Sequence, residues 1–229
     1  MLKKIVATSA DGIFATTLFT YNGNKIVSID GIQKHVDFTY TDGLISKTVT
    51  LNKINQLLET IEYTYVAGEL IRTKSPNNYI INYIHNSDKT ISYEKLAINS
   101  AYKEVKMYHG ILYFQNENFI KDERILDNAA VGVTSSYSIS FDYDSKHNPL
   151  FNVLGYKKIL DYNEAISSNN SLISTVIIST TKDEQIASSA KFYKSSFTYD
   201  LENYPTEQVS ETALFANGNR GYQKTEYFY

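Results

Sequence analysis

One phrase recurs along this chain and constrains its fold more than any other feature: an aromatic or apolar residue, a polar residue, a tyrosine, then a turn and alternating apolar residues. Phe19-Thr20-Tyr21 precedes Asn22-Gly23, Phe38-Thr39-Tyr40 precedes Thr41-Asp42-Gly43, and Tyr63-Thr64-Tyr65 precedes Val66-Ala67-Gly68. Ile81-Asn82-Tyr83 precedes His85-Asn86-Ser87-Asp88, and Phe141-Asp142-Tyr143 and Phe197-Thr198-Tyr199 are each followed by an aspartate. Residues two apart share a strand face, so each aromatic pair lies on one side of a strand. Asn-Gly and Asp-Gly supply the positive φ of tight hairpin turns. Each copy therefore predicts strand, turn, strand, and aromatics of successive copies can stack across neighbouring strands for roughly 0.2–1 kcal/mol per pair.

The expected fold is all-β: a large antiparallel meander of repeated β-hairpins, strongly curved or barrel-like, because so many strands rarely stay in one flat open sheet. A short helix is expected near 151–160, after Pro149. The segments 122–136 and 161–171 read as loops, the second for its Ser167-Ser168-Asn169-Asn170-Ser171 run. The 229 residues carry no evident linker, so a single domain over 1–229 is expected.

Composition removes whole classes of function. With no Cys there is no disulfide framework, thiolate metal site or cysteine nucleophile. The 22 basic and 25 acidic residues leave a net charge of -3, which gives no electrostatic footprint for nucleic acid. No apolar run reaches the ~18 residues of a membrane helix. Phosphate-loop, dinucleotide, nucleophile-elbow and zincin motifs do not occur, so no cofactor is expected. The four histidines, His35, His85, His109 and His147, show no metal-ligand spacing, and no metal is expected.

Two clusters are candidate sites. Asp142, Asp144 and His147 are the catalytic candidates, since paired carboxylates can serve as acid and base. Asp200 occupies the place of Asp144 in the next copy, which points instead to a turn determinant. The tyrosines Tyr21, Tyr40, Tyr65, Tyr83, Tyr143 and Tyr199 are the ligand-binding candidates, because an aromatic ring offers an apolar face and its hydroxyl a hydrogen bond.

The phrases Phe38-Thr39-Tyr40-Thr41-Asp42-Gly43-Leu44-Ile45 and Phe141-Asp142-Tyr143-Asp144 with Asn148-Pro149 resemble uncharacterised cell-envelope lipoproteins of flavobacteria and other Bacteroidota. Those proteins carry degenerate tyrosine-rich repeats similar to YD repeats. The opening Leu2-Lys3-Lys4-Ile5, followed by Asp11-Gly12, is similar to the start of their mature region. The resemblance implies an envelope location, outer membrane-anchored, periplasmic or surface, with any membrane contact made through a lipid anchor on a cysteine that this sequence lacks. It implies no catalytic residues. The function expected is therefore non-enzymatic binding of a glycan, peptide or protein on a curved Tyr-rich sheet. The alternatives are a glycan hydrolase built on the paired carboxylates and an immunity-type protein that binds a toxin.

Overall fold

The computed structural model describes residues 1–160, 166–214 and 220–229. The described residues form sixteen strands: β1 (Lys4–Thr8), β2 (Phe14–Asn22), β3 (Lys25–Asp30), β4 (Lys34–Thr41), β5 (Leu44–Asn52), β6 (Leu58–Val66), β7 (Glu69–Ser75) and β8 (Tyr79–His85). They continue with β9 (Ile91–Ile98), β10 (Glu104–Gln115), β11 (Asn118–Leu126), β12 (Val133–Tyr143), β13 (Ser171–Lys182), β14 (Gln185–Tyr199), β15 (Pro205–Leu214) and β16 (Arg220–Phe228). Each strand pairs with its neighbours in sequence, and β1 also pairs with β16, so the meander closes as an antiparallel barrel. Closure leaves no edge strand to template aggregation.

The recurring sequence phrase has a common backbone form. The ladder register shifts by one residue between Thr20 and Tyr21, between Thr39 and Tyr40, between Thr64 and Tyr65, and between Thr198 and Tyr199. A bulge before a turn sharpens the local twist and re-aims the side chain that follows it. Asp42 and Gly43 have φ of 51° and 78°, and Ala67 and Gly68 have 51° and 79°. Two successive positive φ values are those of a type I′ turn, whose twist matches the flanking strands. The Ile81-Asn82-Tyr83 copy keeps an unbroken register with β9 and turns through a longer connection.

Contacts between Cα positions divide the chain into two compact units. The first comprises Met1–Thr60, Tyr143–Ile173 and Tyr193–Tyr229; the second comprises Ile61–Asp142 and Ser174–Phe192. In the first, β4 alternates cleanly: Val36 and Phe38 are buried while Asp37 and Thr39 are exposed. The buried face continues onto β5 as Thr48 and Ile45, opposite Phe38 and Tyr40. In the second, a buried-face row runs Tyr83, Tyr93, Gly110, Arg124 and Tyr137 across β8 to β12. Gly110 is required there, because a Cβ would come within 2.8 Å of the Tyr93 ring that crosses it.

Three local expectations change. Within 151–160 the structure forms a three-residue 3-10 turn, Tyr156–Lys158. Gly155 precedes it at φ 73°, a left-handed residue that breaks any continuation backwards. The 122–136 segment is a connection only between Leu126 and Val133; Asp122 to Leu126 extend β11. Of the polar 161–171 stretch, 161–165 lie outside the described residues, and Ile166, Ser167, Ser168 and Asn170 are buried.

Candidate functional site

The first unit builds its most elaborate polar structure where β12 ends and the connection to β13 begins. Tyr143 is the last residue of β12, and beyond it the backbone leaves the ladder with its amides free to bond elsewhere. Asp144 takes them up. Its Oδ1 accepts from the backbone N–H of Lys146 at 2.9 Å and of Asn170 at 3.1 Å. Its Oδ2 accepts from Asn170 Nδ2 at 3.4 Å and from the Tyr199 hydroxyl. One carboxylate thus ties the start of the connection to its end and to β14. Burial, and then the Asp144 carboxylate, hold the Tyr199 hydroxyl well above its ordinary value, so it stays a neutral donor.

The same connection is anchored on the hairpin turns of β2–β3 and β4–β5. The Tyr40 hydroxyl accepts from Ile26 N at 3.1 Å and donates to Leu154 O at 3.1 Å, while Leu154 N donates to Asn24 O at 2.9 Å. Gly155 passes so near the turn that a Cβ would sit 3.1 Å from Gly43 O. Val153, Tyr156, Ile159 and Ile166 are buried, with Tyr156 against Phe38 at 6.3 Å between ring centroids. The polar run is buried because its groups are bonded: Ser167 Oγ donates to the Tyr143 hydroxyl at 2.9 Å, and Asn169 Nδ2 donates to Lys146 O at 2.8 Å.

Beside Asp144 lies a cavity of about 500 Å³, open to solvent. Leu172, Ile173 and Phe197 give it apolar walls, and Asp144, Lys146, Lys194 and Tyr199 give it charge and polarity, with Ser145, Ser195 and Ser196 between them. The Phe197 and Tyr199 rings stack at 6.0 Å with 26° between their planes, as a same-face pair on β14. Lys146 Nζ donates to Asn203 Oδ1 at 2.5 Å, a neutral partner.

Of the residues that sequence reasoning singled out, the structure brings Asp144 and Tyr199 into direct contact. Tyr143 is half-buried and bonded to Ser167 in the same connection. His147 packs its ring against Phe151 at 5.5 Å and Tyr204 at 5.1 Å, and its backbone N–H donates to Asn203 O. Asp142 is exposed on β12. Tyr21 is half-buried, with its hydroxyl enclosed and without a hydrogen-bond partner among the described residues. Tyr40 is half-buried and doubly bonded, as above. Tyr65 is half-buried and Tyr83 buried, both in the second unit. Sequence reasoning did not pick out Asn170, Leu172, Ile173 or Lys194. Phe197 was visible as the first aromatic of its Phe-Thr-Tyr copy.

No protein-family model matches the chain, and no curated protein matches it. A solved structure of a porin-like protein from Bacteroides uniformis is similar over 99% of this chain and 97% of its own, at 11% identity and a TM-score of 0.53. A porin-like protein from Bacteroides vulgatus is similar over 100% of this chain and 98% of its own, at 14% identity and a TM-score of 0.48. The likeness to the Bacteroides uniformis structure is one of fold.

Proposed function

We propose that this chain is a non-enzymatic binding protein of the cell envelope whose barrel is bathed in water and whose ligand enters the cavity beside Asp144. The cavity is the observation that carries the reading. Its volume lies within the roughly 300–1,000 Å³ of small-molecule sites, and it joins apolar walls to a few polar groups. Asp144, the carboxylate in the cavity lining, has both oxygens engaged by internal donors, a structural use rather than a catalytic one. Tyr199 and Phe197 supply the aromatic contact surface expected of the tyrosine-rich sheet.

The envelope assignment draws on the resemblance to Bacteroidota envelope lipoproteins and on the fold shared with a porin-like Bacteroides protein. The strands bear on how such a barrel would meet a membrane. A barrel that crosses a bilayer turns apolar residues outward, and each Lys or Arg at its midplane costs about 2–4 kcal/mol. Here the exposed surface is mixed: Phe14, Leu18, Leu58, Ile84, Ile186 and Phe192 are exposed on their strands, with charged residues among them. In the first unit the exposed face carries Asp30, Asp37 and Lys47 on β3–β5, and Glu207, Lys224 and Glu226 on β15–β16. In the second it carries Glu94 and Lys106 on β9 and β10. Those charges, rather than the apolar residues between them, favour a barrel tethered by a lipid anchor over one embedded in lipid.

The test is a binding screen on the full chain in detergent-free buffer, read by the thermal midpoint and by amide chemical shifts. Expected are a monodisperse protein without detergent and a ligand that moves the amides of Ser145, Lys146 and Ser195–Phe197. A chain that stays dispersed only in detergent, or a ligand that moves only residues remote from the cavity, overturns the reading.

A further inference from the structure

We infer that the cavity beside Asp144 selects a small organic carboxylate carried on an apolar body. The inference rests on the binding reading above and names the chemistry of its ligand. Two lysines, Lys146 and Lys194, line the cavity against one carboxylate, so the lining is net positive. That carboxylate offers a ligand little, because its oxygens already accept from Lys146 N, Asn170 N, Asn170 Nδ2 and the Tyr199 hydroxyl. The lysines are not neutralised in turn. The Lys146 ammonium bonds a neutral amide oxygen, Asn203 Oδ1, and Lys194 makes no ion pair among the described residues. The remaining polar groups, the serine hydroxyls, can all donate. A ligand that meets these walls gains most by presenting an anionic acceptor to the lysines and an apolar face to Leu172, Ile173 and Phe197. Phe197 and Tyr199 of β14 stack on each other at 6.0 Å, which presents a broad apolar surface to a hydrocarbon chain or a flat ring.

One such chemistry has two sources, an alkyl carboxylate and an acidic sugar. The experiment separates them by titrating the full chain with octanoate and with galacturonate, each beside its neutral twin, 1-octanol and galactose, read by amide chemical shifts. One anion is expected to bind at least about tenfold more tightly than its twin, the size of one charge-assisted hydrogen bond. Which anion does so identifies the source. Lys194→Ala is expected to remove about tenfold of the anion's affinity and far less of the neutral twin's, with little change in the thermal midpoint because Lys194 is exposed. Lys194→Arg should restore binding. Phe197→Ala should weaken anion and twin alike. Equal binding of anion and twin, or an anion indifferent to Lys194→Ala, overturns the carboxylate inference while leaving a binding site in place. If none of the four probes moves the cavity amides, the carboxylate inference falls, and the broader binding reading is then decided by the unbiased screen.

Discussion

Asp144 in the first unit and Asp122 in the second are both carboxylates withdrawn from water, and both accept a tyrosine hydroxyl, yet they are stabilised in opposite ways. Asp122 is 1% exposed in the middle of β11, bonded to Tyr93 at 2.6 Å and paired with Arg124. The guanidinium lies over the rings of Tyr108 and Tyr137 at 5.2 and 5.0 Å. Asp144 sits where the chain has left its ladder, and its oxygens take two backbone N–H groups, a side-chain amide and a hydroxyl, all uncharged. The difference follows from position. Within a ladder the neighbouring backbone amides are committed to other strands, so a buried carboxylate there needs a side-chain cation, and Arg124 reaches it from two residues away on the same face. In a connection the amides are uncommitted and can serve the carboxylate directly.

Removing the cation should therefore produce the largest effect. Arg124→Ala leaves Asp122 buried and uncompensated, which costs about 3–5 kcal/mol for a fully buried pair; with the Arg124 side chain 29% exposed, about 3 kcal/mol is expected. Urea unfolding measures it. Replacing both partners, Asp122→Leu with Arg124→Met, should cost less than Arg124→Ala alone, because no charge is then stranded. A double variant as unstable as the single would show that Arg124 acts through ring packing rather than through Asp122. Its raised pKa points to the pair: burial penalises the charged guanidinium, and the Asp122 carboxylate more than offsets that.

Asp144→Ala is expected to come next, at about 2–3 kcal/mol, since several enclosed donors lose their acceptor at once. The comparison is sharpened by conservative changes. Asp144→Asn keeps an acceptor oxygen for part of the network and should recover some of that loss, whereas Asp122→Asn strands the Arg124 charge and should not. If the two asparagine variants cost the same, the distinction between a cation-dependent and an amide-dependent carboxylate fails. Smaller still are the tyrosines: Tyr93→Phe and Tyr199→Phe each remove one hydroxyl donor, for about 1 kcal/mol apiece. Asp122 retains its cation in the first case, and Asp144 its two backbone amides in the second.

These two sites also mark what the sequence makes legible. The Phe-x-Tyr rhythm reads as hairpins because period two and Asn-Gly or Asp-Gly turns are local signals. The bulges at Tyr21, Tyr40, Tyr65 and Tyr199 are not readable, because each shifts the pattern by one residue and resembles an ordinary irregularity. Asp144 and Asp200 share a local bond to the amide two residues on, a turn interaction that spacing anticipates. Asn170 and Tyr199 reach Asp144 from 26 and 55 residues away, and nothing in the local sequence encodes those partners. The Ser167-Ser168-Asn169-Asn170 run reads as an exposed loop by composition; hydrogen bonds to Tyr143, Lys146 and Asp144 let it be buried. Arg124 with Asp122 follows the same logic, as charge that looks solvated in sequence and is enclosed in the fold.

A third carboxylate, Asp30 on the exposed face of β3, supplies the case in which water does most of the stabilising. It bonds His35 Nδ1 at 2.7 Å and Lys53 Nζ at 2.8 Å, while His35 Nε2 meets Asp37 at 3.1 Å. The hydrogen bond to Asp30 raises the His35 pKa above its ordinary value, Asp37 adds to the rise, and burial opposes it. A folded value above the unfolded one means that the contribution is complete below pH ~6.5 and is lost as pH rises through the raised value. Asp30 has the opposite sign: its pKa is lowered, first by Lys53 and then by His35, so its contribution is lost only as pH falls through the carboxylate range. Between these ranges, near pH 5.5, both are present. His35→Gln should therefore narrow the gap in unfolding midpoint between pH 5.5 and pH 8.5 that the parent chain shows, by a fraction of what Asp144→Ala costs, and added salt should shrink the effect further. A His35→Gln loss as large at pH 8.5 as at pH 5.5 would mean that the ring acts by packing alone. Asp30 would then depend on the Lys53 ammonium for its charge pairing, as the carboxylate of β11 depends on Arg124.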